Sequence, residues 1–315
     1  MAAGMIAAQR RVELQLVSTP LPQDTEILVR IEGCGICGSN LPVWEGRPWF
    51  TYPLHPGAPG HEAWGTVEAV GSSVTEFRNG DRVAILSYHG LAEYDTAAAS
   101  SALLLPRSLG QVPFPGEPLA CVMNIARRSA IAPGEHVAIV GIGFIGALLT
   151  RLAKLAGARV AAISRRPFAR EVAVHYGADA IFEWRDDSAA ELSRWTDGKG
   201  FDCVIESVGS QNALDLATQI TKERGRLIIA GYHQDGPRNV DMQLWNWRGL
   251  DVINAHERDA RIYVDGMRGA LEAVLNGALD PIPLYTHSFS LDELGRAFEM
   301  LRTRPVGFMK ALVIP

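Results

Sequence analysis

The residues best suited to chemistry in this chain fall in three short runs. The first is Gly33-Cys34-Gly35-Ile36-Cys37-Gly38-Ser39-Asn40, and the second is Gly60-His61-Glu62, which opens a strand into Gly65-Thr66-Val67. A thiolate, an imidazole and a carboxylate form the mixed donor set that zinc favours. Taken singly, each has a plainer explanation: Cys34 and Cys37 as buried thiols, His61 as a hydrogen-bonded core residue. The third run, Gly141-Ile142-Gly143-Phe144-Ile145-Gly146, directly follows the apolar stretch Val137-Ala138-Ile139-Val140 and opens a helical pattern. Between a strand and a helix, these glycines serve a tight turn, close approach of a pyrophosphate, and close helix–strand packing. The amides of the helix N-terminus then face the phosphate oxygens. The loop is expected to bind a dinucleotide through Gly141, Gly143, Phe144, Ile145 and Gly146.

The end of the next strand bears on which dinucleotide fits. An acidic residue there accepts hydrogen bonds from the ribose hydroxyls and repels a 2′-phosphate. Here the chain reads Ile163-Ser164-Arg165-Arg166, with Ser164 at the acidic position. Two guanidiniums suit a phosphate dianion, so NADP(H) is expected. The competing reading makes the arginines solvated surface charges and the coenzyme NAD.

These sites need elements to position them. A length of 315 residues suggests about two domains. With 47% hydrophobic and 21% charged residues, the chain has the balance of a folded globular protein, not of a disordered, collagen-like or coiled-coil one. A formal charge of −5 without basic blocks argues against nucleic-acid binding. Four cysteines are too few for a disulfide scaffold. The longest apolar run, Val137 to Leu149, is shorter than the roughly 20 residues of a membrane span. Arg10 and Arg11 follow the apolar N-terminus, whereas a signal peptide carries its charges first, so no membrane association and a cytoplasmic location are expected.

Residues 12–17, 26–32, 65–70 and 81–86 read as short strands, with Arg78-Asn79-Gly80-Asp81 as a turn. From about Glu117 strands alternate with helices: strands at 137–140, 159–163, 179–182, 203–206, 227–231 and 252–254, helices at 169–176, near Ala190 and near Leu214. That alternation predicts a parallel doubly wound sheet. The expected fold is α/β: a β-rich domain over 1–118, completed by 278–315, and a Rossmann-type nucleotide domain over 119–277. A helix over 262–275 is placed in the latter. Gly209, after the fourth strand, would border the nicotinamide half of the coenzyme.

Gly35-Ile36-Cys37-Gly38-Ser39, then Gly60-His61-Glu62, then the glycine loop come in the order of the zinc-containing medium-chain alcohol dehydrogenase superfamily, which the chain resembles over nearly its whole length. Cys37-Gly38-Ser39 with Trp44-Glu45 and Glu117-Pro118-Leu119 resembles its sorbitol and polyol dehydrogenase branch. The resemblance implies a GroES-like catalytic domain. It implies one catalytic zinc with Cys37 and His61 as ligands, and Glu62 as ligand or neighbouring carboxylate. It places the remaining ligand at Glu117, in preference to Cys121 one turn later, and makes Ser39 a proton relay. Lys310 matches a tail position whose basic residue touches the pyrophosphate. The implied reaction is hydride transfer between NADP(H) and a secondary alcohol or ketone: a polyol, sugar or cyclitol.

Three departures bear on these expectations. No cysteines follow Gly80-Asp81-Arg82-Val83, so the family's structural-zinc lobe is absent. Asn40 replaces the usual aspartate. Pro42 stands where many family members have a relay histidine, so proton release needs another route, which His55 or His89 could supply. The rival readings are a zinc-free NADPH-dependent quinone or enoyl reductase, and a nucleotide-binding protein without turnover. A homodimer or homotetramer joined through residues 252–255 is expected by likeness to the family.

Overall fold

The computed structural model describes residues 1–185 and 188–315. These form two compact units: residues 1–120 with 258–315, and residues 121–257. In chain order the first unit contributes β1 (Ala2–Ala8), β2 (Arg11–Leu16), β3 (Glu26–Gly35), α1 (Asn40–Glu45), β4 (Ala63–Val70), β5 (Arg82–Ile85), β6 (Tyr94–Ala98) and β7 (Ala102–Leu104). The unit boundary falls within α2 (Gly116–Ser129). The second unit continues with β8 (His136–Val140), α3 (Phe144–Leu155), β9 (Arg159–Ser164), α4 (Pro167–His175), β10 (Ala180–Glu183), α5 (Ser188–Trp195), β11 (Phe201–Glu206), α6 (Gln211–Ile220), β12 (Thr221–Ile229), α7 (Met242–Arg248) and β13 (Asp251–Asn254). The chain then returns to the first unit with α8 (Ala260–Leu275), β14 (Tyr285–Ser290), α9 (Leu294–Thr303) and β15 (Lys310–Ile314).

The first unit is built on a sheet of order β14-β15-β3-β4-β5-β7, with β6 also pairing β3. Strand β3 alternates in sequence, and its residues Ile27, Val29 and Ile31 are buried in one apolar cluster with Leu294, Phe298 and Leu301 of α9. Burying side chains of this size contributes roughly 1.5–3 kcal/mol each. Strand register then gathers three distant stretches at one end of the sheet. Cys34 of β3 pairs with Ala63 of β4, and Gly35 with Leu312 of β15. Cys37, His61, Glu62 and Lys310 therefore lie just beyond or at the ends of three adjoining strands.

The second unit carries the parallel sheet β10-β9-β8-β11-β12-β13. Its central strands are continuous apolar runs because both faces are covered: Val137, Ala138, Ile139 and Val140 are fully buried. Strand order reverses between β8 and β11, the point at which such sheets bind ligands beyond their carboxyl ends. Gly141 and Gly209 follow those two strands.

The helix expected over 262–275 is present as α8, but it belongs to the first unit, where Met267 packs against Gly116. Its apolar face reads the same whichever partner covers it, so amphipathic spacing alone did not assign it. Strand β1 and the short helices α1 and α7 were not anticipated.

Candidate metal centre and nucleotide loop

Among the described residues, Cys37, His61 and Glu62 bring one ligand atom each to within 4.8 Å of one another. The loop after β3 presents Cys37, and its amide donates to Asn40 Oδ1 at 2.9 Å. Asn40, buried, donates in turn from Nδ2 to the Pro59 carbonyl at 3.2 Å. The same carbonyl accepts His61 Nδ1–H at 2.8 Å. That bond leaves the Nε2 lone pair of neutral His61 for a ligand, and Ser39 Oγ lies 3.5 Å from Nε2. Asn40 is a positioning residue that sequence reading took only for a lost charge: an ionised aspartate there could not donate to Pro59.

Glu62 is fully buried. Its Oε1 accepts a hydrogen bond from Lys310 Nζ at 2.6 Å, while Oε2 touches the same ammonium without a well-aligned hydrogen bond. A Cβ on Gly35 would come within 1.9 Å of Oε2, so only glycine leaves the carboxylate its place. Lys310, 5% exposed, thus pairs its ammonium with a carboxylate beside the donor cluster. Burial opposes its charge, but Glu62, Cys37 and Glu117 outweigh burial and hold its pKa above the usual lysine range. The signal was faint, since Lys310 opens an ordinary edge of apolar β15. Replacing Lys310 with methionine is expected to destabilise the metal-stripped protein by about 3–5 kcal/mol, because the buried carboxylate loses its partner. Lys310→Met combined with Glu62→Gln should lose much less, as denaturant unfolding of both variants would measure.

Excess negative potential is the test of fit for a cation. Burial works against a charged His61, yet Cys37, Glu117 and Glu62 together push its pKa up to about 10. A sulfur, an imidazole nitrogen and carboxylate oxygen crowded in this way suit a divalent zinc-like ion. Glu117, in the first turn of α2, acts on His61 by its charge but lies outside the three-residue cluster. Cys121 falls in the second unit. Cys34 is a core thiol whose pKa is driven up by burial and then by Glu62, and Cys203 is buried in β11 and pushed up to about 12 by burial first. The rings of His61, Tyr88, His89 and His55 form a row of neighbouring contacts at centroid distances of 6.0–6.5 Å.

The three glycines of the loop after β8 meet different constraints. Gly141 adopts φ +99°, and a Cβ there would strike Val208. A Cβ on Gly146 would lie 2.1 Å from the Gly141 carbonyl oxygen, so glycine sets how closely α3 packs on the loop. At Gly143 a Cβ would meet no protein atom, leaving open space over the N-terminus of α3, where Phe144 and Ile145 begin the helix. Gly209, at φ +83°, packs on the Tyr232 backbone. Its amide and that of Val208 donate to Oε1 of Glu206 at 2.8 and 2.7 Å, and His233 Nε2 reaches Oε2 at 2.9 Å. Glu206 is fully buried and holds this turn, a task its place in an apolar strand did not reveal.

Beyond β9, buried Ser164 receives the Arg166 amide at 3.3 Å. The Arg165 guanidinium stacks 4.2 Å from the Trp184 ring, and Arg166 donates to the Ile142 carbonyl at 3.0 Å. A third arginine, Arg170, braces the turn by donating to the carbonyls of Ser164 and Arg165 at 2.9 and 3.3 Å. Its distance in sequence hid it.

Residues 23–116 match the alcohol dehydrogenase GroES-like domain and residues 145–264 the zinc-binding dehydrogenase family. The chain is 28% identical to 2-dehydro-3-deoxy-L-galactonate 5-dehydrogenase of Pseudoalteromonas atlantica, over 93% of this chain and 92% of that one. It is 26% identical to sorbitol dehydrogenase of Bacillus subtilis, over 100% and 97%. A putative zinc-binding dehydrogenase from Sinorhizobium meliloti, solved with NADP bound, superposes with a TM-score of 0.86 at 26% identity, covering 100% of this chain and 99% of the other. With a GroES-like sheet domain, a Rossmann-type domain and these relatives, the chain belongs to the zinc-type medium-chain alcohol dehydrogenase superfamily, near its polyol dehydrogenase branch, and is an alcohol oxidoreductase.

Proposed function

We propose that the chain interconverts a secondary alcohol and its ketone on a polyol or sugar acid, with NADP(H) as coenzyme and one zinc ion held by Cys37, His61 and Glu62, with Glu117 beside them. The observation that carries this reading is the convergence of the three donors, with His61 Nδ1–H tied to Pro59. When bound, the metal supplies Lewis acidity that makes a hydroxyl more acidic, and the coenzyme supplies the hydride acceptor.

The chain's own residues do the rest. Cys37 and His61 present sulfur and Nε2, and Asn40 keeps their loops in register through Pro59. Lys310 holds the Glu62 carboxylate within reach of the donors. Ser39, beside His61 Nε2, takes the hydroxyl proton at Oγ and passes it outward. Ser164, Arg165 and Arg166 receive the 2′-phosphate, while the open face of Gly143 receives the pyrophosphate. Relatives that act on sorbitol and on a galactonate derivative support a polyhydroxylated substrate.

A reductase without metal would have no use for the cysteine, histidine and glutamate together. Turnover of a panel of alditols, aldonates, cyclitols and simple alcohols with NADP and NAD, with and without chelator, tests the proposal. Activity on polyhydroxylated alcohols that a chelator abolishes and zinc restores is expected. Full activity in chelator would sink it.

A further inference from the structure

Arg304 ends α9 in the left-handed region, at φ 45° and ψ 60°. Glycine fills that position far more readily than arginine does. The other arginines of this helix are each paired with a glutamate three residues earlier, Arg296 with Glu293 and Arg302 with Glu299. Arg304 has no such acid. Its Nε donates to the Leu301 carbonyl at 3.2 Å, which fixes the plane of the guanidinium. Its two terminal nitrogens have no hydrogen-bond or ion-pair partner among the described residues. One of them lies 3.8 Å from the point that a Cβ on Gly38 would occupy, so the guanidinium sits over the residue between Cys37 and Ser39.

The side chain is exposed, and the Cys37 thiol is near enough to act on its charge. It makes no hydrogen bond to that sulfur, so it is not the thiolate's partner. A planar fork that is anchored at Nε and open at both ends is shaped for two oxygens of one oxyanion.

We propose that Arg304 receives a carboxylate or phosphate group of the molecule that reacts beside Cys37. The inference rests on the reaction centre proposed above. Two sources share this chemistry: the acidic end of a sugar acid, and the pyrophosphate of the coenzyme.

Calorimetric titration of the metal-loaded full chain with NADPH, galactonate and galactitol, and of the metal-stripped full chain with Co2+, repeated on Arg304→Gly and Arg304→Lys, tests it. Galactitol matches galactonate except for a hydroxymethyl group in place of the carboxylate. Glycine suits the left-handed backbone, so Arg304→Gly should melt no lower than the parent protein. The expected result is at least a tenfold weakening of NADPH or of galactonate in Arg304→Gly, partly recovered in Arg304→Lys, with galactitol and Co2+ affinities within twofold of the parent. Weakening of galactonate alone assigns the oxyanion to the substrate, and weakening of NADPH alone assigns it to the coenzyme. The proposal is overturned if neither anion weakens, if the parent binds neither, if galactitol weakens as much as galactonate, or if only Co2+ affinity changes. Because these are binding measurements, an enzyme that turns over no alcohol yet shows the anion effect would sink the proposed reaction and leave the oxyanion site standing.

Discussion

His61→Ala is expected to lose its stoichiometric metal and to fall in kcat/KM by about a thousandfold or more. The imidazole is the donor whose orientation is most completely determined, through Nδ1–H to Pro59 and the Asn40 bond to the same carbonyl. Removing it leaves Cys37 and Glu62 to hold a cation, and Glu62 is already engaged by Lys310. Lewis-acid stabilisation is worth several kcal/mol, and each 1.36 kcal/mol is tenfold in rate, so a loss of about 4 kcal/mol gives that factor. The fold should survive, because His61 lies in the loop before β4 and outside the apolar core of the first unit. Metal analysis of the purified variant beside the parent is the deciding measurement. A full equivalent of metal in His61→Ala, or parental activity, would remove the basis for the centre.

The second large effect concerns the coenzyme. Arg165→Ala should cut kcat/KM for NADP by roughly tenfold to a hundredfold and leave NAD nearly untouched, because a hydrogen bond to a charged group contributes about 1.5–3 kcal/mol. Arg166→Ala should impair both coenzymes, since its guanidinium also supports the phosphate loop at the Ile142 carbonyl. Ser164→Asp should turn the preference toward NAD by placing a carboxylate where the 2′-phosphate would lie. Steady-state kinetics with both nucleotides on the three variants separates these effects. A parent enzyme that prefers NAD, with the preference unchanged in Arg165→Ala, would show these arginines to be ordinary surface charges.

Much of this was legible because each signal was local. The run Val137–Val140 followed by three spaced glycines dictates a buried strand, a tight turn and a helix, since each step follows from backbone sterics within ten residues. The alternation of β3 and the punctuation around Gly80 did the same for the first unit. The donor residues were visible by type, and their order along the chain matched a family pattern.

By itself, then, the sequence determined the two kinds of domain, the glycine loop and the candidate donor side chains, because hydrophobic period, turn chemistry and donor type are properties of neighbouring residues. Only the tertiary structure decided that Lys310 pairs with Glu62, that Asn40 ties two loops to one carbonyl, that α8 packs with the first unit, and that the Arg304 guanidinium lies over Gly38. Those contacts join segments up to 266 positions apart, as Arg304 and Gly38 are. They are set by strand register and by the space a missing Cβ leaves, neither of which is written in any single stretch of chain.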